Sequence, residues 1–499
     1  VKSQVENVKY NMKPLHEWLQ PTQGTFVGKS SILTRNGDCG SPLIVNTAYG
    51  PAIFGIHCLG SASQVVASTF VPQDIVMDVC NGLDHNPISP GEPRLNAEGI
   101  ERPLGEIHHK SPFIYLREGF AEVHGGFTGF RPRRSSAVTK SIICKQLQDD
   151  GYVLKHTAPT LGTWHPWYLA AADLVRPIDG LQPAIFDQCI KSLSKHFLDN
   201  ISKEDLAEVI VYDLKTAVNG FPGVKFIDSI NRSTSAGAPF SKSKKFYFNA
   251  CDGEGIWQDA VMPNAEICER VENILTLYKS GQRYHPVFTG SVKDEPVSFE
   301  KAEMGKIRIF AGAPIDWSLV VRMFLLSTVR LIQKNRFIFM SMPGVNCHSL
   351  EWEQLFDFLN KHPNKFAGDY GKFDKRMPPI AVLGAFEILS DICKAAGYSE
   401  EDVKVIMCIA YDTAFAMTDF NGTLVSFMGG NPSGNPLTVI INCLVNILYL
   451  MYCYYILNPE HECDSFFKNV NAVTYGDDGA VSVSDDAKWY NHTSVSEML

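Results

Sequence analysis

No excess of positive charge runs through this chain. Its 45 lysines and arginines are outnumbered by 54 aspartates and glutamates, for a net charge of −9. That excludes a general basic footprint for nucleic acid, so any polyanion site must be local. Arg131, Arg133 and Arg134, and Lys242, Lys244 and Lys245, are the local clusters. No CxxC pair occurs among the 13 irregularly spaced cysteines. This argues against zinc sites and a disulfide framework and predicts reduced, intracellular thiols. The stretch after Val1 is mixed polar and apolar, without a secretory h-region, and no repeat or low-complexity tract appears. Val1 and Leu499 together predict a piece of something longer.

One stretch lacks charge altogether. Residues 437–457 are uncharged and long enough to cross a bilayer. However, Thr438, Asn442 and Asn446 fall at i, i+4 and i+8, one polar stripe on one helix face. A buried helix with one polar side is therefore expected, not a transmembrane segment.

What is present reads as several folding units, about three for 499 residues. Residues 1–80 alternate short apolar runs with Gly and Pro, predicting strands at 31–34, 42–45, 53–56 and 65–70. Residues 81–105 are rich in Pro, Gly and Asn and read as a linker. From 106 to 499 helices and strands mix, with helical patterns at 184–217, 262–279, 314–334, 350–360, 380–396 and 401–418.

Two constellations carry chemistry. The first is Asn36-Gly-Asp-Cys-Gly-Ser-Pro42, followed by Gly55-x-His57-x2-Gly60. A Cys at a tight turn exposes its sulfur, and the N–H groups of Gly37 and Cys39 can converge as an oxyanion hole. Together with Thr34, this spacing resembles the picornavirus-like cysteine proteases of chymotrypsin fold. The resemblance implies Cys39 as nucleophile and Thr34 and His57 as lining of the substrate pocket. The only histidine before Cys39 is His16, too near in sequence to act as base. A second barrel without its first, and a weakly activated thiol, are therefore expected. Glu98–Gly99 is a possible self-cleavage point.

The second constellation is carboxylate chemistry. Nucleotide addition needs two divalent ions held by acids at strand ends, and magnesium takes few carboxylates, completing its shell with waters and substrate phosphates. Residues 365–370 form a candidate strand ending at Asp369, with Asp374 five residues on. Strands at 470–475 and 480–484 flank Gly476-Asp477-Asp478 as a hairpin. Between them Ser433-Gly434-x3-Thr438-x3-Asn442 runs from a Gly-rich loop into the striped helix, with Pro436 suited to its first turn. An Asn there can bond a ribose 2′-hydroxyl.

These elements, in this order, resemble the RNA-dependent RNA polymerases of picorna-like viruses. By that resemblance Asp369, Asp477 and Asp478 are catalytic metal ligands for Mg²⁺, with Mn²⁺ possible. Asp374 and Asn442 read the sugar, beside Ser433, Gly434 and Thr438. Lys293-Asp294-Glu295 and Lys306-x-Arg308, with Lys301 between, match the fingers motif gripping the triphosphate; Val297 stands where relatives often carry Arg. Thr234, Ser235, Gly237 and Pro239 match the loop guiding the template. The implied fold is multidomain: an all-β half of a chymotrypsin-like barrel protease, then an α+β right-hand polymerase with fingers and palm, cut before the thumb. Implied partners are RNA template and primer, nucleoside triphosphates and other viral replication proteins. The implied location is host cytoplasm, in membrane-associated replication complexes. The alternative is a catalytically incomplete RNA-binding precursor. A reverse transcriptase fits the Ser-Gly-x3-Thr-x3-Asn element less well, and a working protease lacks its first barrel.

Overall fold

The structure, a computed structural model, describes residues 5–11, 25–31, 42–47, 50–60, 64–70, 104–114, 121–127, 135–175, 180–240, 242–251 and 255–499. The chain divides into two compact units, Val1–Glu92 and Pro93–Leu499.

The first unit is a five-stranded antiparallel sheet. Its strands run in the order Val5–Asn11, Thr25–Ser30, Val65–Phe70, Gly50–Gly60 and Pro42–Thr47. Val66 and Ser68 are both buried, the period of two expected of a strand with one covered face. The strand Thr25–Ser30 was not predicted; of the run expected at 31–34, Ser31 is a bend outside that strand and residues 32–34 lie outside the described residues.

The second unit is built on helices that share one large core. Pro183–Asn200, Ala265–Lys279, Ile315–Lys334, Pro379–Ala395, Glu400–Ala414 and Thr438–Leu457 all contribute to it. Their starts follow local chemistry. Ser399 and Asp402 form a reciprocal capping box under Glu400–Ala414, and Asn264 accepts the Ile267 N–H to open Ala265–Lys279. The helical pattern at 184–217 is not continuous. It stops at Asn200, and Ser202 caps a separate turn, Lys203–Leu206, by accepting the Asp205 N–H.

The Thr438–Leu457 helix is long and apolar enough to span a membrane. Every residue from Ile440 to Tyr454 is buried within the protein. Each buried Leu, Ile or Val side chain contributes about 1.5–3 kcal/mol, so the core accounts for its composition. Pro436 does not sit in its first turn: the helix begins at Thr438, after the turn that Asn435 organises by accepting the Leu437 N–H.

Two sheets flank this core. A six-stranded sheet runs Ile309–Gly312, Val287–Val292, Met417–Phe420, Thr423–Phe427, Ala121–Phe127 and Leu104–Gly105. A three-stranded sheet runs Asn364–Gly368, Asp478–Val483 and Val470–Tyr475. The central Asp478–Val483 strand starts two residues earlier than the sequence pattern suggested, which tightens the hairpin loop to Gly476 and Asp477.

Candidate active site

The three-stranded sheet brings the acidic residues together. Antiparallel pairing matches Gly368 with Gly479 and Tyr475 with Asp478. Asp369 therefore leaves its strand one step beyond that glycine pair, toward the position held by Asp478. Gly476 takes φ +68° at the first position of the two-residue loop, where a side chain would be strained. Asp369 and Asp478 are exposed and Asp477 is half-buried.

The loop is gripped from beneath by the Thr438–Leu457 helix. Asn446 Nδ2 donates to the backbone oxygens of Gly476 at 3.2 Å and Asp477 at 3.0 Å. Its Oδ1 accepts from the Tyr370 hydroxyl, one residue after Asp369, at 3.2 Å. The Gly476 N–H in turn donates to Cys443 Sγ at 3.1 Å. A single buried amide thus ties the hairpin tip to the strand end opposite. The polar stripe made Asn446 visible in the sequence, but Cys443 carried no signal.

Asp374 and Asn442 meet through a residue that sequence reasoning missed, Asn431. Its N–H donates to the Asp374 carbonyl at 2.7 Å. Its Nδ2 donates to Asn442 Oδ1 at 2.8 Å and to the Thr438 carbonyl at 3.1 Å. The Thr438 hydroxyl is spent on its own turn, donating toward the carbonyls of Asn435 and Pro432. Ser433 is exposed. Burial pushes the half-buried Asp374 carboxyl above its ordinary value. Lys375 opposes that shift, Asp477 adds to it and Arg308 opposes it, so all four groups lie within electrostatic reach. Lys372 and Lys375 both reach buried Asp173, at 2.5 and 3.9 Å; that anchor also carried no sequence signal.

Close backbone contact joins these elements to the fingers motif. Gly434 N–H donates to Ala311 O at 2.9 Å, and Gly434 bridges Gly312. A Cβ on Gly434 would lie 2.5 Å from Ala311 O and 2.7 Å from Gly312 Cα. The Ile309–Gly312 strand follows Lys306 and Arg308, both exposed. Lys293 N–H donates to the Arg308 carbonyl at 2.8 Å, and its ammonium pairs with Glu295 at 3.3 Å. The Asp294 carboxylate accepts from the Ser136 hydroxyl and the Ala137 N–H. Val297 is buried and paired with Thr157. Lys301 is exposed.

The 234–239 loop docks on the same segment. Ile315 N–H donates to Ala236 O at 2.8 Å, and a Cβ on Gly237, at φ +77°, would lie 2.7 Å from Pro314 Cα. Lys244 holds the loop from outside, donating to Thr234 Oγ1 at 2.7 Å and Ser235 O at 2.9 Å; burial pushes its ammonium down. Beside it, Lys242 and Lys245 lean on exposed Phe246, 5.7 and 5.2 Å from the ring centre. Thr234 and Ser235 are exposed and Pro239 is half-buried.

In the first unit His57 is half-buried and pairs with Ser68. Pro42, three residues after Cys39, pairs with Ile56 beside it. Thr34, Gly37 and Cys39 lie outside the described residues, as do Arg131, Arg133 and Arg134.

Comparison with known proteins gives a consistent answer. Residues 172–499 match the family described as viral RNA-dependent RNA polymerase. The replicase polyprotein of Acute bee paralysis virus is 25% identical over 93% of this chain and 25% of its own length. For the RNA1 polyprotein of Cowpea mosaic virus the identity is 25%, over 97% of this chain and 26% of that protein. For the RNA1 polyprotein of Broad bean wilt virus 2 it is 30%, over 55% and 15%. The chain thus spans about a quarter of the length of the first two polyproteins. Among solved structures, the Sicinivirus 3Dpol RNA dependent RNA polymerase superposes with a TM-score of 0.61 at 17% identity, covering 76% of this chain and 75% of its own. That likeness extends the right-hand polymerase fold over most of the chain. With its match across residues 172–499, this chain belongs to the viral RNA-dependent RNA polymerase family of picorna-like replicase polyproteins.

Proposed function

We propose that the Pro93–Leu499 unit catalyses template-directed addition of ribonucleotides to RNA, with Asp369, Asp477 and Asp478 holding the catalytic metal ions. The observation that carries this is the Gly368–Gly479 pairing, which directs Asp369 toward the Asp477–Asp478 loop. Among the described residues no group of three or more His, Cys, Asp or Glu comes together that could hold a metal ion, so at Asp369, Asp477 and Asp478 waters and substrate phosphates would have to complete the shell. That donor set suits magnesium, which keeps its waters and takes a few carboxylates together with substrate phosphates; manganese is the alternative. When bound, the pair of ions supplies activation of the 3′-oxygen and charge neutralisation at the leaving pyrophosphate.

The rest of the reading concerns this chain's own side chains. Lys293, Lys306 and Arg308 offer positive charge to the triphosphate. Asp374 and Asn442 bond the ribose, whose 2′-hydroxyl both donates and accepts. The 234–239 loop, with the adjacent lysines, guides the template strand. Paramagnetic Mn²⁺ binding, followed by electron spin resonance with a triphosphate present, tests the metal assignment. Asp369→Asn and Asp477→Asn are each expected to weaken it at least tenfold; unchanged binding in both sinks the assignment.

The first unit is proposed as the second barrel of a cysteine protease. Its antiparallel sheet and the pairing of Pro42 beside His57 support this. In a polyprotein carrying it, cleavage of a Gln-Gly peptide should be lost in Cys39→Ala and kept when exposed Cys347 is changed instead.

A further inference from the structure

The buried amide of Asn431 has its donor end fully used and its acceptor end unpaired. Nδ2 donates to two oxygens, Asn442 Oδ1 at 2.8 Å and the Thr438 carbonyl at 3.1 Å. Oδ1 is buried with no partner among the described residues, on a residue only 3% exposed. An amide kept purely for packing has no need of this: an apolar side chain would avoid the unpaired acceptor. The donor end is what the site retains.

That donor end fixes more than its own orientation. The Thr438 carbonyl can only accept, so Asn431 must turn its NH2 toward it; the reverse orientation would set oxygen against oxygen. The Asn442 group facing the same NH2 must then be its oxygen. Asn442, 8% exposed on the Thr438–Leu457 helix, is left with Nδ2 as its remaining polar group. No protein acceptor meets that Nδ2 among the described residues. The same Asn431 binds the Asp374 carbonyl through its N–H, so one residue sets both sugar-facing groups.

We propose that Asn431 is a specificity-determining positioning residue that locks Asn442 as a hydrogen-bond donor toward the 2′-oxygen of an incoming ribonucleotide. Asn442 then donates to the 2′-oxygen, and the 2′-hydroxyl proton is left for an acceptor, for which the Asp374 carboxylate is available. A 2′-deoxyribonucleotide offers neither group and leaves the donor unpaired. A site built to pair a hydroxyl discriminates strongly against its absence for this reason.

The inference rests on the sugar-reading assignment of Asn442, and its test separates the two. The Kd values of ATP and 2′-deoxy-ATP are measured by titration on the whole chain, with thermal unfolding as a control for folding. Asn431→Asp replaces the donor by an acceptor and should let Asn442 rotate its amide, cutting the ribose preference by roughly ten- to a hundredfold, the size of one buried hydrogen bond. The 2′-deoxy-ATP affinity should change little. Asn431→Ala, which introduces no buried charge, should cut the preference less, by several-fold. If Asn442→Ala abolishes the preference while both folded Asn431 variants keep it, the positioning role is overturned and the sugar reading stands. If Asn442→Ala keeps it too, the sugar reading itself falls, and this inference with it.

Discussion

Asn446 Nδ2 lies 3.0 Å from the backbone oxygen of Asp477, inside the hairpin that carries the acidic pair. The same side chain accepts from Tyr370, next to Asp369, so it spans both halves of the proposed metal site. Asn446→Leu keeps the branching at Cγ, though with bulkier methyl groups, and removes the bonds to Gly476, Asp477 and Tyr370. It is expected to lower single-nucleotide addition by ten- to a hundredfold. Unfolding should become easier by about 1–3 kcal/mol, because the loop carbonyls lose their donor. Urea unfolding and a primer-extension rate check the two effects separately.

Gly434 is expected to tolerate no side chain. Both atoms that a Cβ would meet, Ala311 O and Gly312 Cα, are backbone and have no rotamer to yield. Gly434→Ala should destabilise by about 1–3 kcal/mol and weaken triphosphate binding, since the Ile309–Gly312 strand follows Lys306 and Arg308. Triphosphate affinity equal to that of the parent chain would contradict the proposed link between this glycine and the fingers motif.

The pH dependence has a definite sign at Asp316. This fully buried carboxyl is pushed up to about 6, first by burial, against the Trp317 N–H and Tyr284 hydroxyl that donate to it. The folded state therefore holds a proton that the unfolded state has lost between about 3.8 and 6. Stability should fall as pH rises through that window and be fully present below it. Asp316→Asn keeps the acceptor without the charge. Its stability advantage over the parent chain should grow by on the order of 3 kcal/mol between pH 4 and pH 7, read from urea midpoints at each pH.

The basic step beside the 234–239 loop should govern RNA affinity rather than chemistry. Lys242 and Lys245 flank exposed Phe246, a combination suited to backbone charge and base stacking. Each change to Ala should weaken single-stranded RNA binding across sequences and reduce the salt slope by about 0.7 in log–log terms. Filter binding across a salt series measures both.

Much of this architecture was legible because its signals are local. The helices at 265–279, 315–334 and 379–395 follow apolar periodicity, and the hairpin at 470–483 follows alternation around a Gly-Asp turn. The acids, Gly434 and Asn442 stood out because few residue types can do their work. Asn431, Cys443 and Asp173 did not, since each acts through partners distant in sequence: Asn431 through Asp374, Cys443 through Gly476, Asp173 through Lys372. The short strands Ile309–Gly312 and Met417–Phe420 were missed, the helical pattern expected over 401–418 running into the second although its helix ends at Ala414, because the six-stranded sheet that defines them is assembled from segments far apart in sequence. Pro436 misled for a related reason: Asn435 captures the Leu437 N–H and delays the helix to Thr438.

The most direct test of the account is addition of one ribonucleotide to a primed RNA template in the presence of Mg²⁺. The parent chain is compared with Asp477→Asn and, as a control, with Asp485→Asn, an exposed acid paired with Lys488. Addition is expected from the parent and from Asp485→Asn, to vanish on chelation, and to be absent from Asp477→Asn although that variant unfolds at the parent's temperature. Near-parental addition by Asp477→Asn, or addition that survives chelation, would contradict the proposed two-metal chemistry.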